Sequence, residues 1–410
     1  MMLQSAVIKN GLHKSYFCWF CCIKTRNIVK WSSILTKVSL KNYNFILMIC
    51  IIALSAIGVL AINSATGGDE SLVNKQIYGA LIGLALMVGI SFIDYHTILK
   101  FSIIIYIGCC VFLVLVLVVG LIRGGARRWI VLPVLGQLQP SEFVKVGLVI
   151  CFADFFGRNK DRMDTSAVIM TGIGLALIPI ILILLEPDTS TTIILLVQLA
   201  AMFFVAGLSY KFILVVLAIV IPLGAGFLFL IKSGMLDFLG DYRIGRILAF
   251  FNKTGYTDEN MQQNNSIMAI ASGKLWGKGL NNTGLESVKN GNYLAEEQTD
   301  FIFAIIGEEM GFVGSVIVIL LFVLVVILCL RMARKAADVE GKVICTGIGI
   351  LIAMQSFTNI AVATGVFPNT GLPLPFISSG VSSLLSMYLG MGVVLSVGLH
   401  PNAERSRRFL

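Results

Sequence analysis

Charged side chains are scarce in this sequence. They make up 13% of its 410 residues, whereas 57% of the residues are hydrophobic, and the mean hydropathy is +0.91. A soluble fold has too little interior to bury that much apolar surface, so the composition excludes a soluble domain. The apolar runs are long and continuous rather than short and alternating, which excludes a transmembrane β-barrel. The sequence therefore predicts an all-α protein that crosses the membrane many times.

Features typical of zinc sites and of nucleic-acid binding are also few. A zinc site would need ligands beyond the N-terminal Cys18, Cys21 and Cys22, and only His13 is near them. A metal site, palmitoylation and no role are three open interpretations of this group. The formal net charge of +9 is compatible with nucleic-acid binding. However, the basic residues cluster at the ends of apolar runs, which is typical of membrane topology, so we expect no nucleic-acid partner.

Ten apolar runs, most of them about 17–25 residues long, are sufficient to cross a bilayer, although the fourth is short and the eighth is long. They are predicted at 44–64, 76–93, 101–122, 142–157, 166–185, 190–209, 212–231, 301–330, 343–366 and 377–399. Lys and Arg in alternate connections place both termini in the cytoplasm, and no cleavable signal peptide is evident. The expected organisation is a cytoplasmic tail at 1–43, a transmembrane domain at 44–400 and a second cytoplasmic tail at 401–410. A large extracytoplasmic loop is expected at about 232–300, between the seventh and eighth spans.

The long loop ends in a carboxylate at the mouth of the eighth span. Glu296, Glu297 and Asp300 run directly into the apolar residues that begin with Phe301. An ionisable group at the edge of an apolar span is costly to hold in lipid, and it usually faces a cavity or a partner. Asp300 is therefore the leading candidate for a functional residue.

A basic loop at about 123–141 lies on the predicted outer side, against the positive-inside rule. One interpretation is that Arg127 and Arg128 extend to lipid headgroups beside an interfacial Trp129. The other is an anion site, because guanidinium groups suit bidentate binding of phosphate.

Polar residues also interrupt the starts of two spans. Glu142 and Lys145 share one face of the fourth helix, either as a self-neutralising pair or with Lys145 directed at an anionic ligand. Pro187 disfavours a helix at Glu186, and Asp188 is predicted to be the N-cap of the sixth span.

The segment before the last span, residues 370–380, contains two prolines and two glycines, which prevent a continuous helix. Broken backbone at membrane depth is tolerated only where protein covers it or where it lines a cavity. This segment therefore predicts a pocket on the outer side of the membrane.

Seven segments, taken together and in this order, resemble the SEDS family (shape, elongation, division and sporulation). They are Ala126-Arg127-Arg128-Trp129; Gln139-Pro140-Ser141-Glu142 with Lys145; Glu186-Pro187-Asp188; Tyr242 and Arg246 with Phe250-Phe251-Asn252; Gly277-Lys278-Gly279-Leu280; Gln298-Thr299-Asp300-Phe301-Ile302-Phe303 with Gly307-Glu308-Glu309; and Thr370-Gly371-Leu372-Pro373-Leu374-Pro375-Phe376-Ile377-Ser378. The resemblance covers nearly all of residues 44–400.

This resemblance implies a ten-helix bundle that acts as a peptidoglycan glycosyltransferase. Family members polymerise lipid II, the undecaprenyl-pyrophosphate disaccharide-pentapeptide, at the outer face of the bacterial cytoplasmic membrane. An α-linked donor and a β-1,4 product imply inversion, so a single displacement suffices. The resemblance does not distinguish cell division from elongation or sporulation.

The resemblance also implies roles for individual residues. The family's essential acidic residue falls on Asp300, the expected base. The expected substrate-binding residues are Arg127, Arg128, Glu142, Lys145, Arg246 and Ser378. No tightly bound cofactor is implied, and a divalent cation (Mg²⁺ or Mn²⁺) would be shared with the substrate pyrophosphate.

The implied partner is a single-span class B penicillin-binding transpeptidase, within the division or elongation complex. Two other functions are compatible with the sequence. Many spans with broken helices and intramembrane charges also describe a lipid II flippase or other transporter. A scaffold that only activates its partner is the third hypothesis.

Overall fold

The computed structural model describes residues 43–123, 126–132, 136–210, 257–281 and 297–400, together with isolated positions between 218 and 230. The described residues leave out positions 1–42 of the first predicted tail, the whole second tail, most of the seventh predicted span, most of the loop at 232–300 and Arg246.

Helices account for most of the described chain. They are α1 (Phe45–Ala65), α2 (Glu70–Ser91), α3 (Tyr95–Leu99), α4 (Ser102–Val119), α5 (Pro140–Arg158), α6 (Ser166–Leu185), α7 (Thr189–Val205), α8 (Thr257–Ser272), α9 (Ile302–Lys335), α10 (Val339–Ala363) and α11 (Val381–Leu399). All of these except α3 and α8 coincide with predicted spans, so the described helices account for nine of the ten.

Within the described residues, seven helices are long and apolar enough to cross a membrane: α1, α2, α4, α6, α9, α10 and α11. The helix α7 is shorter, with 17 residues, and α5 carries Glu142, Lys145, Asp154 and Arg158 among its apolar residues. Large apolar side chains are exposed along the outer helices, and so much apolar surface fits lipid rather than water. The chain is a polytopic helical membrane protein, as predicted.

The centre of the bundle is formed by α10 and α11. In their most apolar windows, 67% and 78% of the residues are buried, against 28% in α2 and α4. Close packing between α11 and α2 needs Gly83, because a Cβ there would lie 2.1 Å from the ring of Tyr388. The Tyr388 hydroxyl in turn lies 2.5 Å from the Ser55 hydroxyl of α1.

A small antiparallel sheet occupies the connection between α4 and α5, where the sequence predicted only a basic loop. Its strands are β1 (Leu121–Arg123), β2 (Ala126–Leu132) and β3 (Gly136–Leu138), in the order β1-β2-β3. Leu121 pairs with Trp129, and Ile130 pairs with Leu138. This pairing satisfies backbone groups of the connection and holds Arg127 and Arg128 on a strand.

The helix α9 is broken at Gly311, where φ is 65° and ψ is −163°. The turn after α8 fills the break: the Phe312 and Val313 amides donate to the Lys274 and Leu275 carbonyls at 2.9 and 3.2 Å. A side chain at Gly311 would meet the Gly277 nitrogen at 2.3 Å, so the close approach requires glycine. Residues 302–310 thus form a separate short helix supported by a second segment of protein.

Candidate functional site

The turn that carries Asp300 is tied to the 370–380 segment. The Ser378 hydroxyl donates to the Thr299 carbonyl at 2.6 Å, and the Ser379 amide donates to the Gln298 carbonyl at 2.9 Å. The Asn359 side chain donates to the Asp300 carbonyl at 2.9 Å. Three successive backbone carbonyls are therefore held, which fixes where the half-buried Asp300 side chain begins. We use the name Asp300 end for the Asp300 turn, the 370–380 segment and the residues that hydrogen bonds join to them.

The 370–380 segment is irregular, as its prolines and glycines predicted. Its polar backbone groups are satisfied by side chains of α10: Asn359 donates to the Leu372 carbonyl at 2.7 Å and Gln355 to the Pro373 carbonyl at 3.1 Å. Ser378 closes the segment on itself by accepting from the Leu374 amide at 2.7 Å. Ser378 is thus engaged in backbone contacts on both sides.

An ion pair on α5 connects to the same network. The Lys145 ammonium lies 2.8 Å from Glu142 Oε1 and also donates to Gln355 Oε1 at 2.8 Å. Both charged side chains are completely buried. The self-neutralising pair that the sequence allowed is present, and Gln355 joins it to the 370–380 segment.

The two arginines of β2 differ in their contacts. Arg127 is exposed, and its guanidinium lies 3.3 Å from the Leu117 carbonyl. Arg128 is half-buried and donates to the carbonyls of Glu186 and Pro187. Within the described part of the chain neither arginine forms an ion pair with a carboxylate, so both positive charges are available to an anion.

The turn between α6 and α7 lies beside Arg128. Asp188 caps α7 as predicted, since its carboxylate accepts from the Thr191 amide at 3.1 Å. The Gln139 side chain contacts the same carboxylate at 3.4 Å. The Ser190 hydroxyl donates to the Thr370 carbonyl at 3.0 Å, which links the turn to the 370–380 segment.

Glu308 and Glu309, in the short helix before Gly311, have partners inside the protein. The Lys278 ammonium lies 2.8 Å from Glu308 Oε1, and the Ser64 hydroxyl donates to Glu309 Oε1. We therefore assign these two glutamates to the packing of the turn after α8, and of α1, against the broken helix.

Sequence reasoning missed Gln355 and Asn359, which lie one turn apart on α10. Together they connect the Lys145 pair, the 370–380 segment and the Asp300 turn. The available signal was the presence of two amide side chains in a membrane-spanning helix, where polar groups must find partners.

Several fully buried polar atoms at the Asp300 end have no hydrogen-bond partner among the described residues. They are Ser141 Oγ, Glu142 Oε2, both carboxylate oxygens of Glu186, Asn359 Oδ1 and Thr370 Oγ1. Buried polar groups are nearly always satisfied by protein, water or ligand. These atoms therefore outline a polar interior that water or a bound molecule completes.

Metal binding by the protein alone has little support in the described residues. They contain no group of three or more His, Cys, Asp or Glu side chains that could hold a metal ion. A cation shared with a pyrophosphate needs only one or two protein carboxylates, so the expected Mg²⁺ or Mn²⁺ stays a prediction.

The comparisons with known proteins agree over nearly the whole chain. The family model for FtsW, RodA and SpoVE, described as a cell cycle protein, matches residues 39–403. The chain belongs to this family. It is 33% identical over 371 residues to stage V sporulation protein E of Bacillus subtilis, covering 86% of this chain and 96% of that protein. It is 35% identical over 324 residues to a probable peptidoglycan glycosyltransferase FtsW of Escherichia coli, covering 76% and 73% of the two chains.

Solved structures of the family share the fold. The rod shape determining protein RodA of Thermus thermophilus is 25% identical, with a TM-score of 0.64 over 88% of this chain and 98% of that one. A chain from a peptidoglycan synthase complex, solved in a study of the coordination of polymerisation and crosslinking, is 27% identical. Its TM-score is 0.71, with 87% of this chain and 97% of that one covered.

Proposed function

We propose that this FtsW/RodA/SpoVE-family protein is a peptidoglycan glycosyltransferase that polymerises lipid II at the outer face of the bacterial cytoplasmic membrane. The observation that carries the proposal is the Asp300 turn, which hydrogen bonds hold against the irregular 370–380 segment. Through Ser190 that segment is joined to the α6–α7 turn, whose carbonyls accept hydrogen bonds from Arg128. The names of relatives and structural neighbours support the same activity.

The proposed reaction is a single inverting displacement. The 4-hydroxyl oxygen of the acceptor GlcNAc attacks C1 of the donor glycan, the bond from C1 to the pyrophosphate oxygen breaks, and undecaprenyl pyrophosphate leaves. Asp300 takes the hydroxyl proton as general base. Arg127 and Arg128 stabilise the negative charge that grows on the pyrophosphate.

Lys145 supports the site from a distance in this proposal. Its ammonium is buried between Glu142 and Gln355, so its effect reaches the substrate through the 370–380 segment. Arg246 stays a predicted substrate contact outside the described residues.

The proposed orientation places the Asp300 end on the extracytoplasmic side and both termini in the cytoplasm. The distribution of Lys and Arg along the sequence supports this orientation. A class B penicillin-binding transpeptidase is the proposed partner, and the structural neighbour from a peptidoglycan synthase complex supports assembly with a second enzyme.

Purified protein, alone and with its transpeptidase partner, should convert lipid II to glycan strands that a gel resolves. Asp300→Asn should lower the rate by about 10²–10⁴-fold, the usual contribution of general base catalysis. Asp161→Asn, an exposed change at the other end of the bundle, is the matched control. If Asp300→Asn polymerises lipid II at the wild-type rate, Asp300 is not the general base.

A transporter is the second candidate, because the break in α9 at Gly311 is typical of carriers with discontinuous helices. Liposomes with labelled lipid II distinguish the two functions. Movement of lipid II across the bilayer without formation of polymer would show that the protein is a flippase and not a glycosyltransferase.

A further inference from the structure

Glu186 has the most unusual environment of the carboxyl groups at the Asp300 end. It follows the last residue of α6 and precedes Pro187. The side chain is completely buried, and neither carboxylate oxygen has a hydrogen-bond partner in the described part of the chain. The function proposed above gives this residue no role.

Among the residues that the structure describes, the charged groups around Glu186 leave its carboxyl group without an ion-pair partner. Arg128 is the nearby cation, but its guanidinium donates to the backbone carbonyls of Glu186 and Pro187 instead of the carboxyl group. Asp188 is committed to Thr191 and Gln139. On α5, Glu142 and Lys145 neutralise each other.

This environment favours the protonated form. Burial, followed by the charge of Asp188, raises the pKa of Glu186 to about 9, although Arg128 acts in the opposite direction. At neutral pH the group is a carboxylic acid with one O–H donor and one carbonyl acceptor. A buried donor without a partner is one that a bound molecule can satisfy.

We propose that Glu186 is a substrate-binding residue whose neutral carboxyl group donates a hydrogen bond to a phosphate oxygen of the polyprenyl-linked substrate. The inference rests on the proposed function. A neutral acid suits this place because an ionised carboxylate would repel the phosphate that Arg128 attracts. The Thr370 hydroxyl has no hydrogen-bond partner within the described ranges. Because the Thr370 carbonyl accepts from Ser190 of the same turn, this hydroxyl offers a second contact.

Two substitutions distinguish a neutral Glu186 that donates a hydrogen bond from an ionised Glu186. Glu186→Gln keeps a donor of the same shape at every pH, whereas Glu186→Leu removes it. We expect Glu186→Gln to keep the wild-type KM for lipid II at pH 7.5. We expect Glu186→Leu to raise KM about tenfold with kcat little changed, which corresponds to one lost charge-assisted hydrogen bond.

The pH dependence has a defined sign. Because the protonated form binds, affinity should be constant well below pH 9 and should fall about tenfold per unit above it. Glu186→Gln should abolish this fall. Glu70→Gln, an exposed change at the start of α2, should leave the fall in place.

Binding of undecaprenyl pyrophosphate in detergent micelles, measured by fluorescence between pH 7 and 10, tests the proposal without polymerisation. If wild type makes no polymer yet shows the fall that Glu186→Gln abolishes, the glycosyltransferase assignment fails and the binding role stands. The binding role is overturned if Glu186→Gln is as impaired as Glu186→Leu, or if Glu186→Leu binds as tightly as wild type.

Discussion

The two ends of this bundle treat buried polar groups differently. At the end away from Asp300, the Asp94, Tyr95, His96 and Asp338 side chains form a cluster that we call the clamp. The two imidazole nitrogens of His96 lie 2.8 Å from Asp94 and 2.8 Å from Asp338. The Tyr95 hydroxyl and the Gly341 amide both donate to Asp338 at 2.7 Å. At the Asp300 end, by contrast, Glu186, Thr370 and Asn359 each have buried polar atoms with no partner in the part of the chain that the structure describes.

The pKa values of the titratable groups also differ between the two ends. Burial alone would lower the pKa of His96, but its hydrogen bonds to Asp338 and Asp94 outweigh burial and raise the pKa to about 9. Burial would raise the pKa values of Asp94 and Asp338, yet their hydrogen bonds to His96 lower them. The carboxyl of Glu186 has no such partner, and its pKa rises.

The comparison indicates that the two ends of the bundle have different roles. In the clamp, opposite charges satisfy one another and join the α2–α4 connection to the α9–α10 connection, which stabilises the fold. At the Asp300 end, unsatisfied groups are the places where a substrate or water can bind. Four substitutions test this division.

The largest expected effect is on stability, at the buried pair of the Asp300 end. Lys145→Met leaves Glu142 buried without its partner, and should lower the free energy of unfolding by about 3–5 kcal/mol. The double variant Glu142→Gln/Lys145→Met should recover most of that loss, because no charge is left buried. Thermal unfolding in detergent measures the stability of both variants. If Lys145→Met is as stable as wild type, the buried ion pair does not stabilise the fold.

The next effect is on activity, at Asn359. Asn359→Leu releases the Asp300 and Leu372 carbonyls, and a shift of about 1 Å in a catalytic group can cost about 10²-fold in rate. Gln198→Leu is the matched control, since Gln198 is also a buried amide that donates to two carbonyls, those of Lys145 and Gly347. Equal losses of polymerisation in the two variants would show that Asn359 acts on the fold alone.

A third substitution tests the clamp. His96→Gln should destabilise the protein by about 1–2 kcal/mol while leaving the rate per folded molecule unchanged. The folded pKa of His96 lies above the unfolded value, so its contribution is fully present below about pH 6.5 and is lost as the pH rises through about 9. The Tm of wild type should fall over that range, and the Tm of His96→Gln should change less. A rate defect in the folded variant would mean that the two ends are coupled.

The smallest effect is expected at the exposed Arg127. Arg127→Gln should raise KM for lipid II by about twofold, since exposed charges are well screened. Arg128→Gln should raise it more, because this guanidinium is half-buried and fixed on two carbonyls. Equal KM values for the two variants would remove the distinction between the arginines.

Much of the architecture follows from local signals in the sequence. Apolar runs of sufficient length predicted nine helices that the described residues contain, because lipid requires helices to satisfy backbone groups. The N-cap at Asp188 and the irregular 370–380 segment also follow from local chemistry, since Asp caps helices and Pro interrupts them. The sheet at 121–138 was missed, because its short strands gave a weaker signal than the basic residues they carry.

Asp300 could be singled out from sequence alone, because a carboxylate beside an apolar span is conspicuous wherever the span packs. The side chains that hold the Asp300 turn in place could not be identified from the sequence. Gln355 meets Lys145 across 210 positions, and Asn359 meets Asp300 across 59, and only the packing of α5, α9 and α10 decides which side chains become neighbours.

The same limit applies to Glu186, which in sequence is one more residue of a turn. Tertiary structure buries it and turns Arg128 toward the backbone. Hydropathy and turn chemistry are local and can be recognised along the chain, whereas whether a buried polar group has a partner depends on helices brought together by folding.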